Sequence, residues 1–290
     1  MNTIRKYITS LALGVAVTGA MVSCDTLDEK FYNPDKLTEA DFSLLFASAQ
    51  TKGHLFRYDY GATYHYMRGF GKMLGLGVSP LYLDRTQNNT IVRPWDGWSG
   101  TPFNEFIFTQ TCTNYSKELS GMKLLYADMT EEEQEQNKVY MLCSDIIRSY
   151  AFQRATDLYD DMPYSEAGGA FQELFYPKYD TQEAIYNDLL KELDEAQAAL
   201  STSAGNTIGA ADVIYNGDAA KWKKFANSLM LRVAMRLTKV APDKAKTWVA
   251  KAVSNGLFVS NDDNAIVRHT NGSPSDDSAE PYGKVFSSLD

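Results

Sequence analysis

A chain of 290 residues, 44% hydrophobic and 22% charged and with no long low-complexity tract, has enough apolar surface for a sizeable core, which excludes disorder outside short linkers. Its formal net charge of -9 and the absence of a basic stripe exclude nucleic-acid binding as the main function, because an acidic surface repels phosphate backbones. Three cysteines, Cys24, Cys112 and Cys143, are too few for a disulfide framework.

Met1 to Lys6 carry two positive charges, and Ile8 to Val22 form an apolar run too short to span a bilayer. A basic start, a short apolar run and small residues at its end make a secretory signal. The run closes on Met21-Val22-Ser23-Cys24, which resembles the lipobox of bacterial lipoproteins, departing from it at Met21 where Leu is usual. That resemblance implies that residues 1–23 are cleaved and that Cys24 carries lipid, with several acyl chains anchoring the protein to a membrane. The cleaved chain holds 26 basic groups against 37 acidic ones, a balance of -11. Residues 24–37 then read as anchor and tether. Their acidic start, Asp25-Thr26-Leu27-Asp28-Glu29, resembles a surface-export signal of outer-membrane lipoproteins and equally suits a solvated linker.

From residue 38 the signals are helical. Thr38 with Asp41 opens a first helix whose apolar face is Phe42, Leu45, Phe46 and Ala49. A second over Tyr58 to Leu76 is weakened by four glycines. A large loop follows, up to about residue 104. Its stretch Tyr82-Leu83-Asp84-Arg85-Thr86-Gln87-Asn88-Asn89, leading to Trp95-Asp96-Gly97-Trp98, places two indoles beside amides and charges. Rings cover the apolar face of a pyranose while amides and charges bond its hydroxyls, so Tyr82, Arg85, Asn88, Trp95, Asp96 and Trp98 are the expected ligand-binding residues. The competing reading has Trp95 and Trp98 plugging the loop onto the helices.

Thr130-Glu131-Glu132-Glu133 is a capping box, followed by the face Val139, Leu142, Cys143, Ile146, Ile147 and Tyr150. Asp180 is the expected cap of a helix buried through Ile185, Leu189, Leu193, Ala196 and Leu200. Asp218 caps another, with Trp222, Phe225, Ala226, Leu229, Val233 and Leu237 on one face. Pro242 starts the last, whose face is Ala245, Trp248, Val249, Ala252 and Val253 and which Gly256 ends. A link of a few residues makes the last two helices antiparallel neighbours, with Trp222 and Trp248 largely buried. Cys112 and Cys143 either pair in an oxidising compartment or, as free cysteines usually do, sit buried as small apolar side chains. The histidines, His54, His65 and His269, have no metal-ligand spacing, and no phosphate loop or nucleophile elbow occurs, so neither metal nor cofactor is expected. Carboxylates are plentiful, and nothing singles out a glycosidase pair.

Periodicity alone gives an all-α chain of helical hairpins. Three stretches go further: Arg154 to Ala167 around Met162-Pro163-Tyr164-Ser165-Glu166, Tyr179 to Tyr186 running into Leu193-Asp194-Glu195-Ala196, and Tyr215-Asn216-Gly217-Asp218 followed by Lys221 to Leu237. In this order and spacing they resemble the SusD/RagB family of nutrient-binding outer-membrane lipoproteins. The first departs from the pattern at Asp160, where the family usually has Gly. The resemblance implies an all-α fold of tetratricopeptide-like helical hairpins with long loops, a SusD-like α/α superhelix, over residues 38–290. It implies capture of oligosaccharides, or in some branches peptides, at the cell exterior and a partnership with a TonB-dependent, SusC-like barrel transporter. It also implies a longer chain, so that a C-terminal half is expected beyond Asp290. In the family's starch binders, aromatic residues of a comparable early loop contact glycan. The motifs themselves look structural: Trp222, Phe225 and Leu229 read as core, and Arg232 and Arg236 either hold the Asp157-Leu158-Tyr159 segment or are solvated. The expected role is binding without catalysis. The rival readings are an α-helical glycan hydrolase, which turnover of an oligosaccharide would reveal, and a ligand-free structural envelope lipoprotein.

Overall fold

A computed structural model describes residues 42–55, 106–200 and 208–268, all within the compact unit Asp41–Asp290. The described elements are helical. In chain order they are α1 (Phe42–Leu55), α2 (Phe106–Thr109), a π-helical segment (Gln110–Tyr115), α3 (Ser116–Asp128), α4 (Glu131–Tyr159), α5 (Gln182–Ala199), α6 (Ala219–Arg236) and α7 (Pro242–Asn255), with short 3-10 turns between some of them. Pairing between strand-like segments is limited to one antiparallel bridge, Met162 with Asp180, among the described residues.

Local chemistry sets the helix ends. Thr130 accepts from the Glu133 amide while the Glu133 carboxylate takes the Thr130 amide, the expected capping box. Asp218 accepts from the amides of Ala220 and Lys221 at 3.0 and 3.1 Å, so it caps α6 as expected. Pro242 lies in the first turn of α7, and Gly256 closes that helix at φ 95°. The expected Asp180 cap is corrected. Thr181 caps α5 through the Ala184 amide, because the Asp180 carboxylate is drawn to the amide and hydroxyl of Ser165, at 2.7 and 2.8 Å. The helix formed by α2, the π segment and α3 is a finding the sequence did not announce. Its start, rich in Thr, Asn and aromatic residues, has poor helix propensity, and tertiary packing supplies what propensity lacks.

Successive helices pack antiparallel. Tyr126 on α3 meets Gln134 on α4, and further along the pair Tyr115 donates to the Ser144 carbonyl. Arg148 and Thr156 of α4 meet Glu192 and Gln182 of α5 in reversed order. Asn227 of α6 reaches the end of α7 at the Asn255 carbonyl. Helix α1 lies across α3 and α4. Gly53 makes that approach possible: a Cβ there would fall 2.2 Å from Ile147 Cγ2.

The main core contains Phe46, Tyr115, Met122, Ile146, Leu193 and Trp222, all fully buried. A smaller cluster of Ile107, Phe152, Met162, Tyr164, Ile185 and Leu189 seals the other side of α4 and α5. The predicted apolar faces of α1, α4, α5 and α6 lie in these clusters. On α7 the expectation fails in part. Ala245 and Ala252 are buried, but Trp248 and Val249 are half-buried and Val253 is 55% exposed. Among the described helices α7 packs closely on α6 and reaches α5 through Lys244 and Lys251, so only a narrow stripe of it is covered. Cys112 and Cys143 are free thiols in different clusters; burial pushes the Cys112 thiol up to about 12 and that of Cys143 well above its usual range.

Candidate functional site

The expected lipidation residue Cys24 and the expected ligand residues Tyr82, Arg85, Asn88, Trp95, Asp96 and Trp98 lie outside the described residues, as do Thr38 and the weak helix over 58–76. Within the described residues, chemistry concentrates in three places.

The first is a buried polar seam between α4 and α5. Arg148 donates to Glu192 at 2.8 Å and to the Tyr164 hydroxyl at 2.6 Å, and its guanidinium stands 3.9 Å from the Tyr164 ring centre. Ser149 donates to the other Glu192 oxygen, and Tyr164 donates to Asp188. Asp145 flanks this seam. Burial, and then the Glu192 charge, lift its carboxyl to about 7. A cavity of about 300 Å³ lined by Lys123, Asp145, Asp188 and Glu192 opens from the seam.

The second joins α4, α5 and α6. Arg236 Nε meets Asp157 at 2.9 Å and the Tyr186 hydroxyl at 2.9 Å, while Tyr186 donates to the same carboxylate. Arg236 thus holds Asp157, one of the two roles the sequence left open for it. Arg232 does not share that role; its guanidinium stands 6.0 Å from the Tyr150 ring centre.

The third is a loop cluster where the turn before α6 meets the segment after α7. Asp212 organises it. One carboxylate oxygen accepts from the amides of Ile214 and Tyr215 at 3.0 and 3.1 Å; the other accepts from Gly217 N at 2.8 Å and from the Trp222 indole at 2.7 Å. A carboxylate with four donors needs no cation to stay buried. Gln50 of α1 clasps the same loop, donating to the Ala211 carbonyl at 2.8 Å and accepting from the Val213 amide at 3.1 Å. Across from it Asp263 accepts from Lys224 at 2.8 Å and from the amides of Val259 and Ser260, and these donors hold its carboxyl below the usual range. Tyr215 donates to the Asp263 carbonyl and so ties the two loops together; burial, then Asp263 and Asp212, push its phenol up.

Between the loops lies a cleft of about 560 Å³, within the range of small-ligand sites. Val213, Ile214 and Ile266 supply apolar lining, and Asn216, Asn261 and Asn264 supply polar groups. Lys221 and Arg268 line it and form no ion pair among the described residues. Such a cleft suits an amphipathic, many-hydroxyl ligand: amides supply donors and acceptors, aliphatic carbons meet ring C–H surface. Sequence reasoning did not find it. The signal available was the run Ser260-Asn261-Asp262-Asp263-Asn264, which begins four positions after the Gly256 helix stop. No described group of three or more His, Cys, Asp or Glu is placed to hold a metal ion, and no described helix is long and apolar enough to cross a membrane.

Residues 102–281 match the SusD-like family model described as starch-binding associating with outer membrane. No curated protein matches the chain. Among solved structures, the chain is 36% identical to a chitin-binding protein, with a TM-score of 0.51 over 58% of this chain and 34% of that one. It is 27% identical to a Bacteroidetes SusD-like protein, AC2a, with a TM-score of 0.60 over 81% of this chain and 41% of that one. It is 28% identical to a SusD homolog from Bacteroides uniformis, with a TM-score of 0.54 over 79% and 46%. The chain thus spans less than half the length of these solved relatives. With the motifs at 154–167, 179–196 and 215–237 inside the matched region and carried on the helices described above, the chain belongs to the SusD/RagB family of SusD-like proteins.

Proposed function

We propose that this chain is a surface-exposed lipoprotein that captures oligosaccharides outside an outer membrane and passes them to a TonB-dependent barrel transporter, without chemistry of its own. The observation that carries the reading is the family match over residues 102–281, whose description joins starch binding to the outer membrane. The 36% identity to a chitin-binding protein supports a glycan rather than a peptide as the ligand. In this reading residues 1–23 are the export signal, Cys24 bears the lipid, residues 24–37 are the tether and residues 38–290 form the binding scaffold. The early loop supplies Trp95 and Trp98 as stacking rings, with Tyr82, Arg85, Asn88 and Asp96 as directional partners. The cleft between residues 212–216 and 261–268 adds a second, polar contact surface.

Calorimetric titration of the mature chain with maltooligosaccharides and chitooligosaccharides tests this. Expected are binding of at least one series with no change in the sugar, and weakened binding in Trp95→Ala or Trp98→Ala at an unchanged melting temperature. Binding to neither series, together with a stable protein partner, overturns the capture reading in favour of an envelope scaffold. Shortened products overturn it in favour of a hydrolase. For the anchor, Cys24→Ala should move the protein from the membrane fraction to the soluble one; unchanged membrane association removes the lipid from the scheme.

A further inference from the structure

We propose that the cleft between residues 212–216 and 261–268 selects a carboxylate-bearing sugar, a uronic acid unit of an oligosaccharide, with Lys221 and Arg268 holding the carboxylate. The proposal rests on the capture reading and adds the substrate class.

The argument begins with the acids around the cleft, because they decide what its cations are for. Asp212 is saturated by three backbone amides and the Trp222 indole. Asp263 is engaged by Lys224 and by the Val259 and Ser260 amides. Asp218 is turned into the first turn of α6, where it accepts from Ala220 and Lys221 backbone amides. That leaves Asp262 as the one lining carboxylate with no side-chain partner among the described residues. Against it stand the Lys221 ammonium and the Arg268 guanidinium, neither in an ion pair among the described residues. Counted with Asp212 the lining is balanced, two cations against two carboxylates, but the Asp212 oxygens are turned to their four donors, so Lys221 and Arg268 are left as cations able to meet an anionic group on a ligand.

The rest of the lining fits a sugar ring. Val213, Ile214 and Ile266 offer apolar surface to ring carbons, and the Asn261 and Asn264 amides offer donor and acceptor groups to hydroxyls. The guanidinium fork of Arg268 matches the planar, two-oxygen geometry of a uronate. The walls are pre-built: Tyr215 donates to the Asp263 carbonyl at 2.8 Å and fixes the two loops against each other, so a ligand does not have to order them.

The test is titration of the full chain with a galacturonic acid trisaccharide and with the matching galactose trisaccharide, which differ only in the carboxylates. The expected result is binding of the uronate about tenfold or more tighter, the usual effect of one charge-assisted contact, with the difference shrinking as salt is raised. The Lys221→Gln, Arg268→Gln double variant should erase the preference at an unchanged melting temperature, since neither side-chain charge is in an ion pair among the described residues. Asp262→Asn should widen it. Equal binding of the two trisaccharides, or a preference that survives the double variant, overturns the proposal while leaving glycan capture standing. Failure to bind these trisaccharides and the neutral malto- and chitooligosaccharides alike overturns both.

Discussion

Replacing Asp212 by Ala leaves four donors without their acceptor: the amides of Ile214, Tyr215 and Gly217 and the Trp222 indole N–H. The Ile214 contact is only partly buried, so water can replace the carboxylate there; the other three are buried. A buried donor left unsatisfied costs about 1–3 kcal/mol, and taking the lower half of that range for three donors gives a loss of about 4 kcal/mol. For a domain of this size each kcal/mol moves the midpoint by about 2–4 °C, so the melting temperature should fall by about 8–16 °C. Asp212→Asn should cost about half as much, because its oxygen keeps the Ile214 and Tyr215 bonds while its NH2 faces two other donors. Trp222→Phe removes one of the four donors, so combining it with Asp212→Ala should give a loss smaller than the sum. Thermal unfolding followed by far-ultraviolet dichroism reads all four proteins. A loss below about 1 kcal/mol for Asp212→Ala, or strict additivity with Trp222→Phe, would refute the role given to this carboxylate.

Asp160 ends α4 at φ 63° and ψ -125°, a conformation that favours glycine, so Asp160→Gly should raise stability by about 1 kcal/mol; an unchanged or lowered melting temperature contradicts that strain. The Asp145 carboxyl keeps its proton to about pH 7 in the fold, whereas the unfolded chain releases it near pH 4. Its contribution is therefore complete below about pH 4 and is lost as pH rises through about 7, and Asp145→Asn should flatten the decline in melting temperature across that window. If the variant and the parent decline in parallel, the seam does not hold that proton. Trp248→Ala should cost about 1–2 kcal/mol, against about 3–5 for Trp222→Ala, because only part of the Trp248 ring leaves water; equal losses in urea titrations would show that α7 is covered more fully.

What the sequence disclosed and what it hid follow from the range of the forces involved. Caps and amphipathic faces are local. Thr130 with Glu133, Asp218, and Pro242 with Gly256 could be read because each acts within one helical turn. Asp180 could not, because a residue 15 positions away competes for its carboxylate. The helix through the π segment was invisible for a related reason. Its residues are poor helix formers, and what holds them are distant partners, such as the Ser144 carbonyl that takes the Tyr115 hydroxyl. Val253 was assigned to a buried face because periodicity gives a face but not how wide its cover will be. The family's glycine position at Asp160 was noticed, and the structure gives its meaning: a helix end at positive φ. The cleft stayed hidden because it is made by two loops nearly fifty residues apart, joined by the Tyr215 to Asp263 bond. The early loop with Trp95 and Trp98 owes its interest to composition, which fixes chemistry without fixing direction.

The clasp made by Gln50 bears on the order in which the chain assembles. Its amide bonds Ala211 and Val213, positions 161 and 163 residues away, and the helix that carries it buries Phe46 and Ala49 against partners that also come later. The pairs α3–α4 and α6–α7 need only short connections and can form early, while Gln50 of α1 must wait for the loop at 209–213 before its amide is satisfied. The apolar face of α1 has its partners, such as Tyr126 and Tyr140, as soon as α3 and α4 exist, whereas the Gln50 amide finds its partners only much further along the chain, at Ala211 and Val213. The topology makes the Gln50 clasp a late closing contact, a latch between the first described helix and a loop made after α5.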